Sequence, residues 1–448
     1  MKVLCAEYVL PISADPIRDG AVAIDGEMIL AVGSRKEIVR EYPGVVCEEF
    51  GEAAIMPGFV NCHSHLEITA MRGFLDSVEH DFFAWLMKLT VTRGEKLSDQ
   101  DIVIAATAGA LEGARAGVTC LGDIGRYGRA GLEALKANGL RGIVYQETEF
   151  SPNDETAVED LEKLKDKYLA LHEDATPLVE IGLSPHSPYT VGRGLFELIT
   201  EYALAEDIKL SIHAAESREE EELMLQGRGF FADLHKRFGS SWQSPHRSTI
   251  KYFHDIGVLG ASPLFAHCVT VSEEDIDMLV ATGSSIAHCP KSNAKFGHGY
   301  APLEQSLDMG VTVGLGSDSV ASNNSFDILE EGRFAALVAR NRPGRGRFIT
   351  AREILRTATL GGAKAMGLGD KIGALEPGKR ADIIAISLAD IAQQPVHDVE
   401  TALVFASNAR DVRMTMVAGE EIYRDGGSKR VDEAEIKAKL REMTERMR

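Results

Sequence analysis

The sequence has no apolar stretch near the roughly 20 residues that a membrane-spanning helix needs, and no basic segment before an apolar core at its N-terminus. It therefore predicts neither a spanning helix nor a secretory signal. No Cys-x-x-Cys pair is present, so a His/Cys/Cys zinc site of the deaminase type is excluded. The six cysteines are scattered along the chain: Cys5, Cys47, Cys62, Cys120, Cys268 and Cys289. We expect reduced thiols in the core of a cytoplasmic protein.

Basic residues are scarce relative to acidic ones. Lys and Arg total 48 against 68 Asp and Glu, which gives a formal net charge of −20. Such a charge opposes nonspecific binding to nucleic acid or to an anionic membrane. We therefore expect neither as a partner, and a small-molecule substrate is the class that composition leaves open.

Two histidines one residue apart end an apolar run, Pro57-Gly58-Phe59-Val60-Asn61-Cys62-His63-Ser64-His65. Alternate side chains of a strand share a face, so His63 and His65 can hold one metal ion. His213, His267 and Asp318 close three further apolar runs. Metal-competent side chains at the C-terminal ends of several strands are typical of a metalloenzyme built on a parallel barrel.

Eight short apolar runs lie between residues 57 and 368, most of them separated by amphipathic stretches of helical period. They end near Val60, Asp123, Glu147, Ser184, His213, His267, His288 and Asp318. Eight strands alternating with helices predict an α/β fold, a closed (β/α)₈ TIM-like barrel over residues 57–368. Active sites of that fold lie at the C-terminal ends of the strands, where the histidines fall.

The two ends of the chain differ from its middle. Short runs of strand character in residues 1–56 flank Asp25-Gly26, a hairpin signal, and residues 369–430 repeat that style. We expect these segments to pair into one small β-sandwich, discontinuous in sequence. Residues 431–448 read as a charged amphipathic C-terminal helix. The long connection Ser217–Gly260 is either a lid over the site or extra helices outside it.

Three imidazoles and a carboxylate suit Zn²⁺ or Fe²⁺ without any thiolate. The metal would lower the pKa of a bound water toward about 7. Glu216 follows His213 by three residues and can carry a proton to a ring nitrogen or leaving group; otherwise it belongs to an exposed acidic loop. His186, between Pro185 and Pro188, and Asn293, after the seventh strand, are candidate substrate contacts, as is His288.

The motifs together resemble the amidohydrolase superfamily, in the branch that holds nucleoside and ring deaminases and triazine chlorohydrolases. They are Pro57–His65, Ser184–Thr190, His213–Glu216, Ala266–Cys268, His288–Asn293, Gly316–Asn324 and Leu375–Asp382. The resemblance implies one Zn²⁺ or Fe²⁺ per subunit, held by His63, His65, His213 and Asp318. It also implies that His267 binds the water or the tetrahedral intermediate, that Asp318 takes a proton from that water, and that Glu216 protonates the ring. Family members suggest a homo-oligomer.

The expected reaction is hydrolytic removal of an exocyclic amine from a purine-like ring as ammonia. The His186 motif resembles that of deaminases acting on methylthioadenosine, S-adenosylhomocysteine and aminodeoxyfutalosine, and we expect an adenine nucleoside modified on its 5′ side, aminodeoxyfutalosine foremost. The chain departs from that group at Gly94, where a ribose-binding glutamate is expected, and at Gln146 and Glu147, where arginines are expected. Alternatives are a triazine, pterin or free-base hydrolase on the same site, and a catalytically silent scaffold.

Overall fold

The computed structural model describes residues 1–447. Five strands open the chain: β1 (Lys2–Val9), β2 (Ile17–Asp25), β3 (Met28–Ser34), β4 (Cys47–Glu49) and β5 (Ala53–Pro57). β1, β2 and β3 pair antiparallel in succession, and Asp25 lies opposite Met28. The hairpin predicted at Asp25-Gly26 is therefore present, with Gly26 at a φ of 53° that suits glycine.

Eight strands follow in the middle of the chain: β6 (Phe59–Ser64), β7 (Val118–Gly125), β8 (Arg141–Glu147), β9 (Val179–Ser184), β10 (Ser211–Ala214), β11 (Leu264–His267), β12 (Ser285–His288) and β13 (Thr312–Leu315). They form two parallel four-stranded sheets, β6 to β9 and β10 to β13. The prediction of eight parallel strands is confirmed. Their ends differ most at β6, which continues to Ser64, and at β13, which stops at Leu315.

Single parallel bridges connect the outer strands of these two sheets. Ser64 pairs with Asp318, and Leu183 pairs with Leu210. The N–H of Asp318 donates to the carbonyl of His63 at 2.9 Å, so the segment after β13 returns to the edge of β6. The bridge therefore brings the last predicted metal residue beside the first.

Helices connect the strands: α1 (Arg35–Glu41), α2 (Phe82–Lys96), α3 (Asp99–Arg115), α4 (Gly128–Asn138), α5 (Ala157–His172), α6 (Arg193–Ala205), α7 (Arg218–Gln226), α8 (Phe230–Phe238), α9 (Thr249–Asp255), α10 (Glu273–Thr282), α11 (Pro290–Lys295), α12 (Leu303–Met309), α13 (Val320–Asn323), α14 (Ile328–Asn341), α15 (Ala351–Arg356), α16 (Gly362–Ala365), α17 (Val399–Ala406) and α18 (Glu433–Met447). Several begin at side-chain caps, such as Ser98 with Asp101 at α3. Within residues 1–447, no helix combines the length and apolar character needed to cross a bilayer.

Short 3₁₀-helices occur at Leu66–Met71, Asp76–Val78, Asp154–Thr156, Val258–Ala261, Ile391–Gln393 and Ala409–Asp411, and a π-helical turn at Thr357–Gly361. The connection Ser217–Gly260 contains α7, α8 and α9, with an irregular stretch between α8 and α9. Phe231 of α8 stacks on Tyr189 with ring centroids 4.2 Å apart, and Trp242 Nε1 donates to the Pro188 carbonyl at 3.0 Å. This segment therefore packs against Tyr189 and Pro188, in the turn that carries His186.

Four strands close the fold: β14 (Ile383–Ser387), β15 (Val412–Val417), β16 (Glu420–Arg424) and β17 (Gly427–Ser428). β14 pairs antiparallel with β5, where Ile383 lies opposite Pro57, so both ends of the chain share one nine-stranded sheet. The predicted pairing of the terminal segments is present. The predicted tail helix corresponds to α18, and its last expected residue, Arg448, lies outside the described residues.

A buried ion pair joins the terminal sheet to the parallel strands. Arg141, at the start of β8, donates through Nε to Asp382 Oδ2 at 2.7 Å and through Nη2 to Oδ1 at 3.0 Å. Their side chains are only 7% and 1% exposed. All six cysteines are free thiols, as predicted, and five of them are buried.

Candidate active site

Three imidazoles and one carboxylate meet where β6, β10 and β13 end. His65 Nε2 lies 3.2 Å from His213 Nε2, and Asp318 Oδ1 lies 3.6 Å from Nε2 of both His63 and His65. His63 and His213 are buried, and the side chain of His65 is 16% exposed. The structure thus places the four predicted metal residues around one point.

In three of these four residues, the side-chain atom that points away from the shared point has its own partner. His65 Nδ1 donates to the Ile124 carbonyl and His213 Nδ1 to the His186 carbonyl, each at 3.0 Å. Asp318 Oδ2 accepts hydrogen bonds from Ser292 Oγ at 2.6 Å and Ser322 Oγ at 2.9 Å. These contacts leave the Nε2 atoms and Oδ1 free to face the shared point, an arrangement that commonly orients metal ligands.

The donor set fits a divalent cation. Both ring nitrogens of His63 are buried and have no hydrogen-bond partner, which is unusual for polar atoms in a core. Burial lowers the pKa of His63, His65 and His213 to about 4, so their lone pairs are available at neutral pH. Three neutral imidazoles and a carboxylate match a zinc or iron site.

Glu216 lies next to this cluster between two histidines. His267 Nε2 and His298 Nε2 each lie 3.6 Å from Glu216 Oε1, and Tyr189 Oη donates to Oε2 at 3.2 Å. Burial alone would raise the pKa of Glu216, but the neighbouring imidazoles of His267 and His298 outweigh it and hold the pKa far below its usual range. Glu216 is therefore an ionised carboxylate beside the metal residues.

Asn293 fixes the orientation of the His267 ring, because its Oδ1 lies 2.9 Å from His267 Nδ1. Burial alone would lower the pKa of His267, but the carboxylates of Glu216 and Asp318 raise it above the ordinary value. The raised pKa favours the protonated imidazole, which offers an N–H toward negative charge. Asn293 does not line the cavity, so its predicted substrate contact stays a prediction.

A cavity of about 490 Å³ opens over the cluster. One wall is apolar and aromatic, and includes Phe82 and Trp85 of α2 together with Phe296. Phe296 packs edge-on against both rings, with centroids 5.2 and 5.0 Å away. Such a wall suits a flat heterocycle. No residue of the Ser217–Gly260 segment, all of which the structure describes, lines the cavity, so that segment supports the site from outside.

A second wall of the cavity is charged. Glu67 pairs with Arg93 at 2.8 Å and accepts the N–H of Tyr127 at 3.0 Å. Arg126 Nε donates to Glu147 Oε2 at 3.3 Å. Lys167 and Glu149, nearer the opening, pair at 2.8 Å.

His186 stands between this wall and the metal residues. Its Nδ1 lies 2.8 Å from Ser187 Oγ and 2.9 Å from Thr190 Oγ1, which fixes the ring. His186 lines the cavity, as a substrate contact requires. His288 is buried outside the main cavity, beside a small void near Leu303.

Sequence reasoning did not single out His298 or the pair of Glu67 and Arg93. His298 lies in a glycine-flanked loop after α11 and carries no periodic signal. Glu67 directly follows His65-Leu66, and its proximity to the metal motif was the available signal. Its arginine partner comes from α2, so only the packing of two elements reveals the pair.

Comparison with known proteins agrees with this geometry. The amidohydrolase family model matches residues 54–422, and a model of the imidazolonepropionase-like composite domain of bacteria matches residues 20–44. A relative from Pelotomaculum thermopropionicum, named 5-methylthioadenosine/S-adenosylhomocysteine deaminase, is 32% identical over 439 residues, covering 96% of this chain and 94% of the relative.

Solved structures with the same fold include an adenosine deaminase from Xanthomonas campestris with bound zinc. It has a TM-score of 0.86 and 28% identity, covering 99% of this chain and 98% of that one. An atrazine chlorohydrolase from Arthrobacter aurescens complexed with zinc has a TM-score of 0.83 and 23% identity over the whole of both chains. At that identity, the second similarity concerns the fold alone.

Proposed function

Because the chain belongs to the amidohydrolase family, we propose that it is a metal-dependent deaminase acting on an adenine nucleoside modified on its 5′ side. The observation that carries the proposal is the position of the Glu216 carboxyl group beside the cluster of His63, His65, His213 and Asp318, in a cavity with an aromatic wall. The relatives named as 5-methylthioadenosine/S-adenosylhomocysteine deaminases support the substrate class.

His63, His65, His213 and Asp318 would hold one Zn²⁺ or Fe²⁺ per subunit. When bound, such an ion lowers the pKa of a water molecule toward about 7 and so supplies hydroxide at neutral pH. A single ion is supported by Glu147 and Ser184, which end the third and fourth parallel strands where two-metal relatives carry a modified lysine.

The protein's own residues would move the protons. Deamination adds water to an amidine carbon, and the two water protons must reach the ring nitrogen and the leaving amine. Glu216 is ionised, so it takes up the first proton and delivers it to the ring nitrogen. Asp318 takes the second and passes it to the amine, which leaves as ammonia. His267, as an N–H donor, stabilises negative charge on the attacking oxygen.

The substrate ring would lie against Phe82, Trp85 and Phe296, with its sugar side toward His186. The aromatic wall supports a planar base, since stacking contributes roughly 1–3 kcal/mol per base. Asn293 would orient the ring of His267, and its predicted contact to the substrate remains a proposal.

We extend the proposal to the fold, that is, to the parallel strands and the two terminal segments. We propose that β6 to β13 act as one closed (β/α)₈ barrel over residues 57–368, supported by the bridges of Ser64 with Asp318 and Leu183 with Leu210. Residues 1–56 and 369–430 would form a β-sandwich, supported by an apolar cluster that both segments share, including Leu4, Ile55 and Ile383. We also propose that the protein is cytoplasmic and forms a homo-oligomer.

The test is an ammonia-release screen with metal-replete enzyme on adenine nucleosides, pterins and triazines, combined with metal analysis of the purified protein. Stoichiometric zinc or iron and preferred deamination of adenine nucleosides would support the proposal. Turnover of pterins or triazines instead would assign the site to another ring, and absence of both metal and turnover would indicate a silent scaffold.

A further inference from the structure

Glu147 presents a buried oxygen that no protein group satisfies. The residue ends β8 and lines the cavity, and it is only 5% exposed. Oε2 accepts from Arg126 Nε, but Oε1 is buried without a hydrogen-bond partner. The atom that stands near Oε1 is His186 Nε2, at 3.8 Å. A buried carboxylate oxygen without a donor costs free energy, which a ligand with a suitable group would recover.

The cationic side chains that line the cavity are already paired. Arg93 faces Glu67, Lys167 faces Glu149, and Arg126 lies between Glu147 and Glu149, with its Nη1 3.9 Å from the latter. Among the described residues of this wall, no arginine or lysine is therefore left over to neutralise an anionic group of the substrate. A carboxylate placed beside Glu147, whose pKa burial already raises to about 7, would bring an unpaired negative charge into a poorly solvated site.

We propose that Glu147 is a specificity residue, which accepts a hydrogen bond from a hydroxyl or amino group on the sugar side of the substrate and disfavours a carboxylate there. The inference rests on the proposed function and narrows its substrate class to nucleosides with a donor near His186. It gives a role to a glutamate that stands where similar deaminases are expected to carry arginine.

The test combines substrate changes with a side-chain change. Turnover and equilibrium binding of adenosine, its 2′-, 3′- and 5′-deoxy analogues, and adenosine 5′-carboxylate are measured with the full-length, metal-replete enzyme and with Glu147→Gln. Glu180→Gln is the matched control, a glutamate on the neighbouring strand β9 whose ion partners, Lys209 and Lys371, lie outside the cavity.

Weakening a hydrogen bond to a buried carboxyl oxygen corresponds to roughly 10- to 100-fold in kcat/KM. We expect that loss for adenosine in Glu147→Gln, and little further loss for the one deoxy analogue that lacks the contacted hydroxyl. Wild-type enzyme should use adenosine at least tenfold better than adenosine 5′-carboxylate, and Glu147→Gln should narrow that ratio. Glu180→Gln should change neither.

Equal losses on every analogue, or a wild-type enzyme that prefers the carboxylate, would overturn the inference. The substrate comparison on the unmodified enzyme holds even where the variant folds poorly. Absence of ammonia from every nucleoside would instead reject the proposed function. The binding measurements still decide the inference in that case, because nucleosides with donors should bind more tightly than the carboxylate, and equal binding would contradict it.

Discussion

His298 Nε2 lies 3.6 Å from Glu216 Oε1, the same oxygen that His267 Nε2 approaches at 3.6 Å from β11. The carboxylate is therefore held between two imidazoles from different parts of the chain. His267 ends β11, and His298 lies in the loop after α11. Because Tyr189 binds its second oxygen, Glu216 has little freedom to rotate. A group that must deliver a proton to one ring atom benefits from such a fixed position.

We expect His298→Ala to lower kcat by roughly 10- to 100-fold, the scale of a small misplacement of a reacting group. The metal content should stay unchanged, because His298 does not contact the four metal residues. Steady-state kinetics with metal analysis and a pH profile measure this, and His298→Gln should recover part of the loss. His254→Ala, at a half-exposed position, is the control. Normal kcat in His298→Ala would show that Tyr189 and His267 position Glu216 without it.

Glu216→Gln should keep the metal yet slow turnover on the order of 10²-fold or more, because the amide cannot take up and release a proton. Single-turnover kinetics and metal analysis on the same preparation measure both effects. Glu219→Gln, at an exposed position in the first turn of α7, should behave as wild type. Unchanged turnover in Glu216→Gln would assign proton delivery to another group.

Replacement of His63, His65 or His213 by alanine should abolish bound metal and activity together. Each contributes one nitrogen to the shared point, and orienting contacts from Ile124 or His186 cannot replace a missing ligand. Metal analysis, activity and reactivation after chelation are the measurements, with His397→Ala as an exposed control. Full metal content and near-normal turnover in one variant would show that the replaced histidine is not a metal ligand.

His186→Ala should raise KM more than it lowers kcat on adenosine-type substrates, because a sugar contact holds the ground state and the transition state alike. A free base or a pterin, which has no sugar, should be nearly indifferent to the change. The comparison needs kcat and KM of both substrate types on the variant and the wild type. Equal losses on both would exclude a sugar contact and favour a free-base substrate.

Asp382→Ala should lower the free energy of unfolding by about 3–5 kcal/mol, because it leaves the buried guanidinium of Arg141 without its partner. The same change removes the acceptor for the N–H of Ala418, which donates to Asp382 Oδ1 at 2.8 Å. Denaturant unfolding measures the effect. Asp15→Ala, in an exposed ion pair with Arg352, should have little effect. Equal stabilities of the two variants would contradict the assigned role of the buried pair.

The elements that sequence could predict are those with a local signal. The apolar runs before His213 and His267 located β10 and β11 closely, and the metal-competent residues at the ends of these runs and of the run before His63 anticipated the cluster. Asp318 was predicted as the residue that closes an apolar run, and it reaches the cluster although β13 stops at Leu315. Its backbone has a φ of 56° and reaches back to β6.

The features that sequence could not predict depend on packing between distant segments. The approach of His298 to Glu216 requires the loop after α11 to meet the end of β10. The neutralisation of Glu67 requires α2 to place Arg93 over the 3₁₀ turn that begins at Leu66. Neither segment has a pattern that specifies its partner.

The pairing of β5 with β14 sets an order of assembly. During synthesis, β5 emerges long before β14, because Pro57 pairs with Ile383, which is synthesised much later. Every residue of Ala53–Pro57 is buried in the finished fold, so the nascent chain carries an apolar, unpaired strand edge through translation of the whole middle segment. Such an edge invites pairing with other chains. The slow, non-local closure of this sheet is therefore the step at which ribosome-bound chains would depend most on chaperones.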